Sequence, residues 1–139
     1  MKIETLSALT RGINAGIPAI SIALLIPAFR PGPALIEVVR SLAESGFTGI
    51  VVVDDGSGPE YAWIFDLLEE FAAVKVVRHA VNLGKGAALK TGMNYALVEH
   101  PDLAGIVTAD ADGQHDPADI CRVGARFTEN PAALVLGAR

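Results

Sequence analysis

The sequence predicts an α/β domain: a doubly wound, mostly parallel sheet with helices on both faces. Three observations lead there. Apolar runs of strand length alternate with segments whose apolar residues recur at helical spacing. The runs are continuous rather than alternating, as expected of strands covered on both faces. The connections are short, and no internal repeat or linker interrupts them.

The first run is Ile20-Ser21-Ile22-Ala23-Leu24-Leu25-Ile26, with a strand expected over Ser21 to Ile26. Residues 1–19 read as a tail or a short packed helix, and residues 20–139 as one domain. Gly12 to Phe29 carries no charge and follows Lys2 and Arg11, so it superficially resembles a signal peptide. Asn14, Gly16, Pro18 and Pro27 interrupt it, and its apolar centre is too short to span a bilayer as a helix. A loop is expected from Pro27 to Gly32. Pro33 then opens a helix with Leu35, Val38, Val39 and Leu42 inward, and Gly46 stops it.

Ile50 to Val53 is a second strand, ending at Asp54-Asp55-Gly56-Ser57-Gly58. Ser57 with Glu60 resembles a capping box, and Ile64, Leu67, Leu68 and Phe71 would face inward from the next helix. Val74 to Val77 is a third strand. Asn82-Leu83-Gly84-Lys85-Gly86 leads into a helix with Leu89, Met93, Ala96 and Leu97 on its inner side, closed by Pro101. Ala104 to Ala109 is a fourth strand. Asp116 caps and Pro117 starts a helix carrying Ile120, Val123 and Phe127 inward. Ala133 to Leu136 is a fifth strand.

Composition bounds the function. Of 139 residues, 51% are apolar, enough for a sizeable core. Net charge is -5 with acids and bases interspersed, which disfavours a nucleic-acid polymer as partner. A single cysteine, Cys121, excludes an internal disulfide and suits a reducing compartment. Beside Ile120 on a helix, it reads as a core thiol.

Ligands in open parallel sheets bind beyond the carboxyl ends of the strands. Four loops fall at that edge: Pro27 to Phe29, Asp54 to Ser57, Asn82 to Gly86 and Asp110 to His115. They hold the chemically suggestive residues, and core packing gives no reason for polar residues to collect there. Asp110 and Asp112 leave a strand end one residue apart. Two such acids are costly without a cationic partner, and the simplest is a divalent metal carrying a phosphorylated ligand. Gln114 adds a third oxygen.

The other candidates each keep two readings. Asp54 and Asp55 suit either a capped turn or recognition of a base or ribose. Gly84-Lys85-Gly86 matches neither the P-loop nor the dinucleotide fingerprint. It is a tight helix entry, or it offers Lys85 to a phosphate. His115 is a structural neighbour of the acids, or a base or ligand. His79 and His100 read as surface residues, and Tyr61 and Trp63 as packing residues. No Ser-His-Asp or Cys-His set is visible, which disfavours a covalent intermediate.

Five segments together resemble the family 2 glycosyltransferases of GT-A fold: Ile26-Pro27-Ala28-Phe29, Val51 to Gly58, Asn82 to Leu89, Asp110 to His115, and Val135-Leu136-Gly137-Ala138-Arg139. Within that family the chain is most similar to the polyprenyl-phosphate glycosyltransferases related to dolichol-phosphate mannosyltransferase. The resemblance implies a donor that is a UDP- or GDP-linked sugar, a lipid-phosphate or cell-envelope glycan acceptor, and Mg²⁺ or Mn²⁺ as cofactor. It implies that Pro27 and Phe29 hold the nucleoside, and that Val53 and Asp55 line the base. Asp110 and Ala111 would contact ribose and diphosphate, Asp112 and Gln114 would ligate the metal, and Arg139 would pair with phosphate. The metal would act as a Lewis acid on the departing diphosphate while an acceptor oxygen attacks from the opposite face.

Two features of this chain stand apart from the family. Arg30-Pro31 occupies the place of an Asn-Glu pair in the first loop, which leaves the choice of UDP or GDP open. The family's acceptor-site acids and membrane-associating segments would follow Arg139, so the resemblance implies an amino-terminal donor-binding part. The full protein would work in the cytoplasm, at the cytoplasmic face of a membrane. The competing readings are a sugar-phosphate nucleotidylyltransferase, which would want a Gly-rich basic loop after the first strand, and a non-catalytic nucleotide-binding module.

Overall fold

A computed structural model of the chain describes residues 22–45, 47 and 49–129. Its strands are β1 (Ile22–Ala28), β2 (Ile50–Asp54), β3 (Val74–Arg78) and β4 (Gly105–Thr108). They alternate with helices α1 (Ala34–Glu44), α2 (Ala62–Leu68), α3 (Lys85–Glu99) and α4 (Pro117–Glu129). A 3-10 turn, Pro59–Tyr61, precedes α2. All strand pairings among the described residues are parallel, in the order β3-β2-β1-β4. The expected fifth strand, Arg139, Gly46 and residues 1–21 lie outside the described residues.

β1 is an interior strand, with apolar side chains on both faces. Leu24 and Ile26 enter one core with α1, α2 and α4; Ala23 and Leu25 enter a second with α3. Truncating a fully buried leucine such as Leu24 costs about 2–5 kcal/mol. The strand runs past its expected end and includes Pro27. A proline inside a central strand normally forfeits a ladder bond. Here Leu25 O accepts from Ala109 N, so Pro27, two residues on, turns its missing N–H to the same side, beyond the end of β4.

The helix faces differ from expectation in two places. On α3 the buried residues are Ala88, Gly92 and Ala96, whereas Met93 and Leu97 are exposed. A Cβ on Gly92 would lie 2.1 Å from Leu25 Cδ1. The helix therefore sits close on the sheet through small residues, and its larger ones are turned outward. On α2 the inward set is Ile64, Phe65 and Leu68; Leu67 is exposed and Phe71 packs on the core from beyond the helix. Ser57 makes no capping bond, since its hydroxyl serves another loop. Trp63 is half exposed, while Tyr61 packs partly against the core.

α4 begins as expected, with Asp116 Oδ1 accepting from Ala118 N at 2.8 Å. Cys121 is buried, and burial pushes its thiol pKa up, as suits a core thiol. Among the described residues no helix is long and apolar enough to cross a membrane.

This topology fixes where a ligand can sit. The chain steps outward from β1 to β3, then returns to place β4 on the other side of β1. The order reverses between β1 and β4, so the crevice of the fold opens at their carboxyl ends.

Candidate functional site

A cleft of about 480 Å³ lies at that reversal. Its walls are residues 27–32 at the end of β1 and beyond it, Asp55 after β2, the entry to α3, and Asp110, Ala111 and Asp112 after β4. Pro27, Phe29, Asp55, Lys85, Asp110, Ala111 and Asp112 thus share one space. Val53 does not line it: the side chain is buried in the core against α3. Gln114 stands beside the cleft, its backbone N–H donating to Asp112 Oδ1 at 3.0 Å.

Asp55 is the best-anchored acid. It is 3% exposed. Oδ1 accepts from Leu83 N at 2.8 Å and faces His79 Nδ1 at 2.7 Å. Oδ2 accepts from Gly84 N at 2.9 Å and from Asn82 Nδ2 at 3.3 Å. Burial alone would raise the carboxyl pKa, but the bonds from Leu83, His79 and Gly84 outweigh it and hold the pKa below its ordinary value. Asp55 thereby pins the loop that opens α3.

His79 was expected at the surface and is not. Its side chain is 9% exposed, with Nε2 at 2.8 Å from Thr91 Oγ1. A histidine directly after β3 gave no local signal of this. A buried acid at the end of the neighbouring strand did, because such a group needs donors. Gly56 has φ +68°, and a Cβ there would lie 2.2 Å from Val81 C. Only glycine lets the β2 and β3 loops approach so closely.

A second chain of bonds ties the β2 loop to the β1 loop. Asp54 Oδ1 accepts from Ser57 N at 2.9 Å, and Ser57 Oγ accepts from Arg30 N at 2.9 Å. Asp54 and Ser57 are both buried. Arg30 has φ +48°, the one positive value at a non-glycine among the described residues. Its guanidinium carbon stands 5.0 Å from the centre of the Phe29 ring.

On the β4 side, Lys85 Nζ reaches Asp110 Oδ1 at 2.5 Å. Asp110 N donates to His115 Nδ1 at 3.1 Å, so a neutral imidazole carries its proton on Nε2, 3.8 Å from Asp110 Oδ2. His115 is thus a structural neighbour of Asp110. Gly113, at φ +76°, turns the chain between Asp112 and Gln114.

The donor set would suit a metal that protein groups ligate only in part. Among the described residues no three or more His, Cys, Asp or Glu gather as a ligand group. Asp112 is an exposed carboxylate at the cleft, with Gln114 adjoining it. Mg²⁺ and related ions commonly take one or two carboxylates and complete their shell with phosphate and water. Asp112 and Gln114 suit that arrangement and not an all-protein cage.

The model of the family "Glycosyl transferase family 2" matches residues 23–139. The chain belongs to glycosyl transferase family 2. An uncharacterized protein of Methanocaldococcus jannaschii, MJ1222, is 41% identical over 103 residues, 72% of this chain and 39% of that protein. UDP-N-acetylglucosamine–dolichyl-phosphate N-acetylglucosaminyltransferase of Methanococcus voltae is 34% identical over 129 residues, 84% of this chain and 51% of that one. The chain therefore spans about half the length, or less, of these relatives. The crystal structure of Staphylococcus aureus TarS 1-349 superposes with a TM-score of 0.61 at 20% identity, covering 79% of this chain and 33% of that one. This family 2 chain thus has the GT-A glycosyltransferase fold that its sequence motifs implied.

Proposed function

We propose that this chain is the donor-binding part of a metal-dependent glycosyltransferase. Its donor is a UDP- or GDP-linked sugar, and its acceptor a polyprenyl phosphate or a cell-envelope glycan. The observation that carries the reading is the meeting of Phe29, Lys85, Asp110 and Asp112 in one cleft at the sheet's order reversal. The name of the M. voltae relative, an N-acetylglucosaminyltransferase pairing UDP-N-acetylglucosamine with dolichyl phosphate, supports the donor and acceptor classes.

The roles follow from chemistry. Phe29 and Pro27 offer the nucleoside an apolar wall, with Val53 beneath it in the core. Asp55 shapes that end of the cleft by holding the loop before α3. Asp110 and Ala111 adjoin the ribose and diphosphate, and Lys85 sets the Asp110 carboxylate in place. Asp112 and Gln114 hold Mg²⁺ or Mn²⁺. A metal held there by Asp112 and Gln114 would supply charge neutralisation for a departing diphosphate. Arg139 offers a guanidinium fork to phosphate. A lipid-phosphate acceptor is already anionic and lies in a membrane, and we propose that the reaction takes place at its cytoplasmic face.

Incubating this chain, joined to an acceptor-binding part from a family 2 relative, with labelled UDP- or GDP-sugar, polyprenyl phosphate and Mn²⁺ tests this reading. Label passing into the lipid extract only when the metal is present supports it. Turnover of a nucleoside triphosphate with a sugar phosphate would instead indicate a nucleotidylyltransferase.

A further inference from the structure

Arg30 holds a conformation that its side chain does not favour. Left-handed backbone is common for glycine and tolerated by asparagine and aspartate, but it costs other residues. Two buried groups enforce it here. Asp54 holds Ser57, and Ser57 Oγ holds the Arg30 N–H at 2.9 Å. A strained residue over-determined by its surroundings, at the edge of a cleft, points to a use for its side chain. Packing among the described residues supplies none: the residue is exposed, and its ring contact with Phe29 lies on the cleft wall.

The charges around the cleft narrow that use. Asp55, Asp110 and Asp112 line it, and the cations among its described lining residues are Lys85 and Arg30. Lys85 is engaged by Asp110. Arg30 faces a ring rather than a carboxylate, so its donors can turn to an anionic ligand without breaking an ion pair. In a chain of net charge -5, a diphosphate entering this cleft gains from a further cation beside the proposed metal. A guanidinium matches phosphate oxygens with paired N–H bonds.

We propose that Arg30 binds the diphosphate of the donor, swinging from the Phe29 ring onto the phosphate oxygens, and that Ser57 is its positioning residue. The inference rests on the reading of the cleft as a nucleotide-sugar donor site.

The test is titration of UDP, GDP and the matching nucleosides at constant Mn²⁺ into the wild-type chain, Arg30→Asn, Arg30→Lys and Ser57→Ala. Asparagine tolerates the left-handed backbone, so Arg30→Asn keeps the fold, with a melting temperature unchanged or raised. It is expected to weaken the preferred diphosphate about 10- to 100-fold, the range of a lost charge-assisted bond. Nucleoside affinity, read by competition NMR, stays constant. Arg30→Lys restores part of the loss. Ser57→Ala weakens the diphosphate and spares the nucleoside. Equal losses for diphosphate and nucleoside, or no loss in Arg30→Asn, would overturn the proposal. Failure of the wild-type chain to bind either diphosphate would instead defeat the donor-site reading, whatever Arg30 does.

Discussion

His79 Nδ1 lies 2.7 Å from Asp55 Oδ1, and this pair joins the segment after β3 to the segment after β2. The carboxylate also takes the N–H groups of Leu83 and Gly84, so one buried contact fixes three segments. Because Nε2 meets Thr91 Oγ1, the imidazole is held from both sides.

Replacing His79 by alanine should therefore destabilise the chain by about 1–3 kcal/mol, the cost of leaving buried polar partners unmet. Thr91→Val should cost less, because it removes a bond at the outer end of the series. The two changes should couple rather than add. Urea denaturation of both single variants and the double variant measures this. Losses that sum independently would show that the imidazole does not link the two elements.

Asp55 gives a pH dependence with a definite sign. Its pKa in the folded chain lies below the ordinary value of 3.8, because donors from Leu83, His79 and Gly84 outweigh burial. A group depressed in this way contributes stability that is fully present above its unfolded pKa. That contribution is lost as pH falls through the folded pKa. Asp55→Asn should thus be clearly less stable than wild type at neutral pH, and the gap should narrow below about pH 4. Chemical denaturation across that range checks it; a gap that widens on acidification would contradict the assignment.

Two glycines separate backbone necessity from simple occupancy. Gly56→Ala puts a Cβ into Val81 and Asn82 backbone at positive φ, with no flexible side chain to yield. A loss of more than about 3 kcal/mol, or failure to fold, is expected. At Gly32 a Cβ would meet nothing within 4 Å. Gly32→Ala should leave the melting temperature nearly unchanged. Similar effects at both positions would mean that the β2 and β3 loops are not packed as described.

The parts legible in the sequence are those where local pattern and tertiary role agree. β1 and β2 read as buried strands because continuous apolar runs leave no polar face, and the sheet covers both sides of them. Asp116-Pro117 marked the start of α4 because capping is a local event. α3 misled because large apolar residues are usually the buried ones, whereas a helix seated on Gly92 buries small residues and turns Met93 and Leu97 outward. Ser57 misled for a related reason: capping-box spacing is local, and the claim of Arg30 on its hydroxyl comes from 27 residues away. The gathering of site residues at one sheet edge was readable from topology alone. The bonds that lock those loops, through His79 and Ser57, depend on side-chain contacts that no local pattern encodes.

The proposed function requires a divalent ion at Asp112 to link this chain to a nucleoside diphosphate. Calorimetric titration of UDP and GDP with and without Mn²⁺, into wild type and Asp112→Ala, is the decisive measurement. The expected result is tighter binding of one diphosphate when Mn²⁺ is present, and loss of that gain in Asp112→Ala with the melting temperature preserved. Diphosphate binding that is indifferent to Mn²⁺ and undiminished in Asp112→Ala would contradict it.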